Sequence, residues 1–470
     1  MTIFKDVVEL LRAFGKAHGS ANPPASLPIG ELSRSAPIRG SSEGEDVVSR
    51  ISLPPEIWRV IIAFAIRLNG RNAIRLDNPF LPIESSSVDE PGMRQDRATL
   101  PLVCRSWRAM TSQIIPEYLM ICSIPQLRAI VDKFEECRDG SLLFQGEWVQ
   151  RIDFQIPEPL TNSPDLIPRL LRRTPNLVIY VNKMGSDYRP ETQTPPAVLE
   201  ALAKYCGPSL RRIEWSYPGE APAWYDLANL CYHAPNLCTL RLTWIFSYQK
   251  SFPKPLELPL LETISLGLIP DPVDSIVQLP RTWDPLLINL AAHPETLPAL
   301  NRVELDLFPT DLTFFHAHGA KIRMFRTTNW TVPPMLPHAL PLLPNLESLI
   351  LTQSTEYVTL PPAHPTLRRI CIAPLMENDI EVPPRMFATA VLVPLESVLL
   401  SIDSTKLPRL EEVRLRNRGI LVHVLDEPAW LQKWAKRWQF RGVRFCDLQG
   451  RSFDEVADPD NDSLLNAVRG

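Results

Sequence analysis

A short apolar pattern keeps returning along this chain, and it limits the fold more than any other feature. It reads apolar, two residues, apolar, one residue, apolar. It occurs as Val149-Ile152-Phe154, Leu210-Ile213-Trp215, Leu237-Leu240-Leu242 and Leu261-Ile264-Leu266. It returns as Leu300-Val303-Leu305, Leu346-Leu349-Leu351, Leu367-Ile370-Ile372, Leu395-Val398-Leu400 and Leu410-Val413-Leu415, with weaker copies from Leu177 and Ile322. The last two apolar positions sit two apart, which puts them on one face of a strand. A proline often stands just ahead, as in Pro235-Asn236-Leu237 and Pro344-Asn345-Leu346. Helical patterns lie between copies. Pro196 to Cys206 is one, with Gly207 as a stop; Ala223 to His233 and Pro285 to Ala292 are others. Strand, turn, helix and turn, repeated every few dozen residues, is the signature of a solenoid.

Composition agrees. A chain of 470 residues is too long for one ordinary core, so several units or an elongated array are expected. Proline is abundant (49) and glycine scarce (18), which suits many short elements stopped by rigid turns. A net charge of -4 provides no global field for nucleic acid or an anionic membrane. The cysteines (Cys104, Cys122, Cys137, Cys206, Cys231, Cys238, Cys371 and Cys446) form no CxxC pair and mostly lie inside apolar patterns. Reduced, buried thiols in the cytosol or nucleus are the expectation. No apolar stretch is long enough to span a membrane, and Lys5, Asp6, Glu9 and Arg12 break up any signal-peptide core.

The region before the repeats reads differently. Residues 1–16 form an amphipathic helix carrying Ile3, Phe4, Val7, Val8, Leu11 and Phe14, expected to pack on its own protein. Residues 17–50 are a flexible linker rich in Ser, Gly, Pro and charge. A helix starts at Ser52-Leu53-Pro54-Pro55-Glu56, with Ile57, Val60, Ile61 and Phe64 on one face. Residues 67–98 turn polar and read as an insertion. Helices then follow Thr99 (Leu102, Val103, Trp107, Met110) and Ile124 (Leu127, Ile130, Val131, Phe134).

Two of these segments together resemble the F-box: Leu53-Pro54-Pro55-Glu56-Ile57-Trp58 and Leu102-Val103-Cys104-Arg105-Ser106-Trp107-Arg108. The later region resembles leucine-rich repeats, and the layout resembles fungal F-box proteins with degenerate repeats. The resemblance implies an α/β chain. A small all-helical F-box at 51–135, carrying the insertion 67–98, would precede an irregular leucine-rich-repeat solenoid at 140–445. That solenoid would be a curved parallel β-sheet with helices and loops on the convex side and a C-terminal capping helix. An acidic tail, 446–470, would follow. The Asn or Cys expected three residues past the last apolar position of each repeat is missing, as at Pro157, Pro218, Ser354 and Arg418. An irregular arc with long inserts, such as 243–260 and 267–297, is therefore expected.

The resemblance implies that Leu53, Pro54, Ile57, Ile61, Val103, Cys104 and Trp107 build the surface for a Skp-type adaptor, or support it. Through that adaptor the chain would reach a cullin ubiquitin ligase, as the subunit that selects a target protein. Residues between the apolar strand positions would face the concave side and touch the target: Arg212, Glu214, Thr239, Arg241, Arg302, Glu304, Arg414 and Arg416. Both charge signs occur there, so the face is no simple phosphate binder. The indoles of Trp430, Trp434 and Trp438 share one helical face and suit a cap over the last repeat.

Nothing in the sequence nominates a catalytic centre, a metal site or a cofactor. There is no GxxxxGK[ST] loop and no GxSxG elbow. His316 and His318 lack ligand partners at metal spacing. The chain is read as a non-enzyme. Two alternatives stand beside the ligase reading. One is a repeat scaffold not coupled to ubiquitination. The other is a hydrolase or transferase hidden in the inserts, which would gather His293, His316 or His318 with carboxylates.

Overall fold

The computed structural model describes residues 54–65, 97, 99–136, 145–157, 164–183, 193–215, 220–243, 245, 255–267, 283–328, 335–352, 363–373, 392–403, 405–415, 428–447 and 450–453. The chain divides into two compact units, Met1–Leu53 and Pro54–Gly470, and every described residue belongs to the second. The helix expected at 1–16, the linker at 17–50, most of the insertion at 67–98 and most of the tail at 446–470 lie outside the described residues.

In chain order the elements begin with helices α1 (Pro55–Ala65) and α2 (Arg105–Ile114), then strand β1 (Tyr118–Ile121) and helix α3 (Ile124–Glu136). β2 (Arg151–Phe154), α4 (Leu166–Leu171), β3 (Ile179–Asn182), α5 (Pro196–Ala201), β4 (Arg212–Trp215), α6 (Trp224–His233), β5 (Thr239–Leu242) and β6 (Thr263–Leu266) follow. Next come α7 (Asp284–Ala292), β7 (Arg302–Leu305), α8 (Thr313–His318), β8 (Met324–Thr328), α9 (Leu336–Ala339), β9 (Ser348–Thr352) and β10 (Arg369–Ala373). The last elements are α10 (Val393–Ser401), β11 (Glu412–Leu415), α11 (Pro428–Gln439) and β12 (Arg444–Cys446).

The twelve strands among the described residues form one sheet whose spatial order is the chain order, each strand parallel to the next. The register aligns the repeated apolar positions. Ile152, Tyr180, Ile213, Leu240, Ile264 and Val303 face one another across successive strands and are buried. They join one continuous core with the helices, including Leu170, Leu199, Leu227, Leu287 and Phe315. Each strand–helix unit therefore completes its core only on its neighbours, as stacked repeats do.

The turns entering β3, β4, β5, β9 and β10 carry a second set of bonds. Asn176 Nδ2 donates to the Glu147 carbonyl (2.8 Å), Ser209 Oγ to Pro175 (2.8 Å) and Asn236 Nδ2 to Pro208 (2.8 Å). Asn345 Nδ2 donates to Ala320 (2.7 Å) and Thr366 Oγ1 to Pro344 (2.8 Å). In these five repeats the residue after the turn proline thus ties the repeat to the one before it. Proline at the preceding position holds its φ and removes an N–H that would otherwise need a partner. Close packing on this rim needs glycine in places. A Cβ on Gly319 would sit 2.0 Å from the Leu342 carbonyl oxygen.

Ten of the repeated patterns are strands β2 to β11, but Leu395-Val398-Leu400 is not. It lies in helix α10, where Leu395, Val398, Leu399 and Ile402 are buried and Leu400 is exposed. Three-residue and four-residue spacing serves a helix as well as a repeat, and Pro394 in its first turn starts one. Two strands went unread in the sequence. β1 follows α2 through a 3-10 turn, Ile115–Glu117, and β12 follows the cap helix. Local contacts partly cover both sheet edges. On β1, Gln126 Nε2 donates to the Met120 carbonyl (2.9 Å) while its Oε1 accepts from the Cys122 N–H (2.9 Å). On β12, Cys446 bridges Ser452 in antiparallel fashion.

Candidate functional site

In the helical unit at the start of the second compact unit, the described residues Ile62 and Ile114 form a buried apolar pair, and Ala63, Leu100, Trp107, Met110 and Ile115 pack around them. The rings of Trp58 and Trp107 lie 5.2 Å apart and join α1 to α2. The Cys104 side chain caps α2, its Sγ accepting the Trp107 N–H at 3.4 Å. The inward face of α1 is thus Trp58 and Ile62, one helical turn apart.

The other face of α1 is left uncovered. Ile57 is 46% exposed and Val60 55%, while Ile61 between them is half-buried. On the helical stretch 99–103, Leu102 is 80% exposed and Val103 59%. Pro54 and Cys104 are also exposed. The residues expected to serve an adaptor therefore divide in two. Pro54, Ile57, Ile61, Val103 and Cys104 reach the surface, whereas Trp107 is half-buried and supports them from the core. Leu53 lies outside the described residues. The sequence reading did not single out Val60 and Leu102 as uncovered, since exposure depends on which face the neighbouring helix chooses.

This unit is tied tightly to the sheet. Arg97 Nη2 donates to the carbonyls of Ile115 (2.8 Å) and Tyr118 (2.6 Å). Its guanidinium lies 5.2 Å from the centre of the Tyr118 ring, and that of Arg151 lies 4.9 Å from it. The Tyr118 hydroxyl donates to Asp153 Oδ2 at 3.0 Å, and Arg151 pairs with the same carboxylate at 2.7 Å. Burial first, then the Asp153 carboxylate, pushes the phenol well above its usual range, so it stays a donor. Arg97 stands inside the stretch read as an insertion, and nothing in its sequence context marks this role.

The outer face of the sheet corrects an expectation. Arg212, Glu214, Thr239, Arg302, Glu304 and Arg414 were expected on an open, target-facing surface; all six are buried. Arg241 is half-buried and Arg416 lies outside the described residues. The charges satisfy one another along and across strands. Arg212 pairs with Glu214 on its own strand, and Arg241 Nη1 reaches the same Glu214 from the next at 3.0 Å. Arg302 pairs with Glu304, Arg326 approaches Glu304 at 3.3 Å and Asp306 at 3.0 Å, and Ser265 Oγ donates to Glu304 at 2.9 Å. Glu412 receives Arg414 Nε at 2.7 Å and Arg444 at 2.8 Å. Burial alone would raise the Glu304 pKa, but Arg302 and Arg326 outweigh it and hold the carboxyl far below its usual range. Parallel strands about 4.8 Å apart stack such side chains into columns, where opposite charges cover each other.

The histidines do other work. His318 is buried with Nε2 against the Leu290 carbonyl (3.0 Å) and Nδ1 beside Lys321 (3.3 Å). His316 is exposed, and His293 lies 3.5 Å from Glu295. Among the described residues no three His, Cys, Asp or Glu side chains gather as a metal site. Burial pushes the thiols of Cys206 and Cys231 up to about 12, which leaves them unreactive. No helix among the described residues is long and apolar enough to cross a membrane. No family model matches this chain, and no curated protein matches it.

Proposed function

We propose that this chain is a substrate receptor of a Skp–cullin–F-box type ubiquitin ligase. The uncovered apolar residues Ile57, Val60, Leu102 and Val103 carry the reading. Such residues gain little by staying in water, and a partner that covers them accounts for their presence. The motifs Leu53-Pro54-Pro55-Glu56-Ile57 and Val103-Cys104-Arg105-Ser106-Trp107-Arg108 name the adaptor that would cover them. The chain itself does no chemistry in this reading. It holds a target near an enzyme and raises its effective concentration.

The test is co-expression with a Skp-type adaptor, followed by size exclusion. A one-to-one complex is expected, lost in Ile57→Ser/Leu102→Ser with the circular dichroism of the sheet unchanged. A folded chain that forms no complex rules out the ligase role and leaves a repeat scaffold.

A further inference from the structure

Helix α11, between β11 and β12, carries a face that its packing on the array does not explain. α11 buries Leu431, Trp434, Ala435 and Trp438. The opposite stripe holds Lys433, Lys436, Arg437, Phe440 and Arg441, spaced three and four apart so that they share one side of the helix. Lys433, Lys436 and Arg441 are exposed and Arg437 is half-buried. Part of this has an internal cause. Lys433 and Arg437 lie 5.7 and 5.2 Å from the Trp434 ring, and Arg441 lies 5.7 Å from the Trp438 ring. Cations in a last helical turn also suit the helix dipole.

Neither cause accounts for Phe440. Its N–H still donates to the Lys436 carbonyl at 3.0 Å, so it continues the helix, yet its ring is 93% exposed. A large apolar ring stands in water among four cations. Surface aromatics framed by basic side chains are the composition of an anchoring position at an interface.

We propose that this stripe docks a short acidic segment of a partner protein, rich in Asp and Glu with one apolar side chain to cover Phe440. The sign follows from the charges, since no acidic residue occurs from Pro428 to Cys446. The length follows from the helix. Between the cations at its borders, Lys436 to Phe440 spans about 6 Å at 1.5 Å per residue, which an extended peptide covers in about two residues. The borders decide between kinds of anion. Glu396 accepts from Lys433 Nζ at 2.6 Å, and Asp403 lies near Lys406 and Arg441. A nucleic-acid backbone or an anionic bilayer, being extended, would run onto these carboxylates as like charges. A short peptide fits between them. One aromatic residue also falls short of the two strong signals that stable membrane attachment needs. This surface lies on the last helix of the described array and does not depend on the adaptor reading.

The experiment uses the full chain and a fluorescently labelled peptide of alternating Asp and Glu with one central Leu, read by anisotropy. Saturable binding is expected, and the Asn/Gln version of the peptide should not bind. Lys436→Glu/Arg441→Glu should weaken binding by about tenfold or more, and Phe440→Ser by about threefold or more. Raising salt from about 0.05 to 0.5 M should weaken the wild type far more than the double variant. All three side chains are solvent-facing, so circular dichroism should match the wild type. Absence of saturable peptide binding overturns the proposal. So does equal affinity in the charge-reversed variant, or capture by vesicles one-third phosphatidylserine, or by single-stranded DNA, when the peptide is ignored.

Discussion

The helical unit and the strand array solve burial in opposite ways. In the array every strand has a neighbour in register, so apolar residues fill one face, and the other mixes paired charges with buried small and apolar residues such as Thr263, Ile350 and Cys371. In the helical unit two helices meet through Trp58, Trp107, Ile62 and Ile114, and the stripe Ile57-Val60-Ile61 is left over. Repetition gives a side chain new neighbours at each step, whereas a pair of helices runs out of surface to cover. Charged residues in a repeat strand can therefore be structural, while apolar residues on a small helical unit can be the functional ones.

That contrast predicts a graded set of effects on stability. The largest belongs to the array's inner face. Trp215→Ala removes a buried ring whose centre lies 5.5 Å from that of Tyr180 and should cost about 3–5 kcal/mol in urea unfolding. A cost below about 1 kcal/mol would mean the repeats are far looser than their register implies. Glu304→Ala comes next. It leaves Arg302 and Arg326 buried without their shared carboxylate and should cost about 3 kcal/mol or more. The triple change Arg302→Met/Glu304→Leu/Arg326→Met should recover most of that loss. If it does not, the face needs its charges for more than mutual neutralisation.

A pH scan probes the array through His318 and His364. Both are held below their ordinary range, first by burial; His364 Nε2 also meets the Leu343 carbonyl at 3.0 Å. The unfolded chain binds these protons more readily than the folded one. Stability should therefore be intact above about pH 6.5 and fall as pH drops below it towards the folded-state values. Comparing urea midpoints at pH 7.5 and 5.5 checks this. A slope unchanged in His318→Gln/His364→Gln would assign the loss to other groups. Asn236→Ala, which removes one rung of the rim ladder, should cost about 1 kcal/mol. Smallest of all, Ile57→Ser, Val60→Ser and Leu102→Ser should each stay within about 0.5 kcal/mol of wild type while abolishing adaptor capture. A large stability loss there would show that the stripe is packed in the free protein, and the two regions would no longer differ.

The strands of the array were legible because burial on one face imposes a period of two, and Leu-x-x-Ile-x-Trp displays it locally. Helix α11 was legible for a related reason, since Trp434 and Trp438 mark one helical side and both are buried. Local pattern failed where it was ambiguous or absent. Leu395-Val398-Leu400 fits a helix and a repeat equally, and Tyr118–Ile121 is a strand only because β2 pairs with it. Pro157 and Pro218 stand where a repeat's Asn or Cys was expected after the strand; a different set of hydrogen bonds, from Asn176, Asn236 and Asn345, runs before several strands instead.

By itself the sequence determined the alternation of strand and helix, the apolar side of each and the two motif segments at 53–58 and 102–108. Only the tertiary structure decided which side chains face water. Glu214 meets Arg241, Glu304 meets Arg326 and Glu412 meets Arg444 across neighbouring strands, at separations in sequence that no local pattern encodes. Ile57 and Val60 stay uncovered because α2 packs on Trp58 and Ile62 instead. Periodicity says that a face exists; the neighbour that fills it, or fails to, comes from distant chain brought together by the fold.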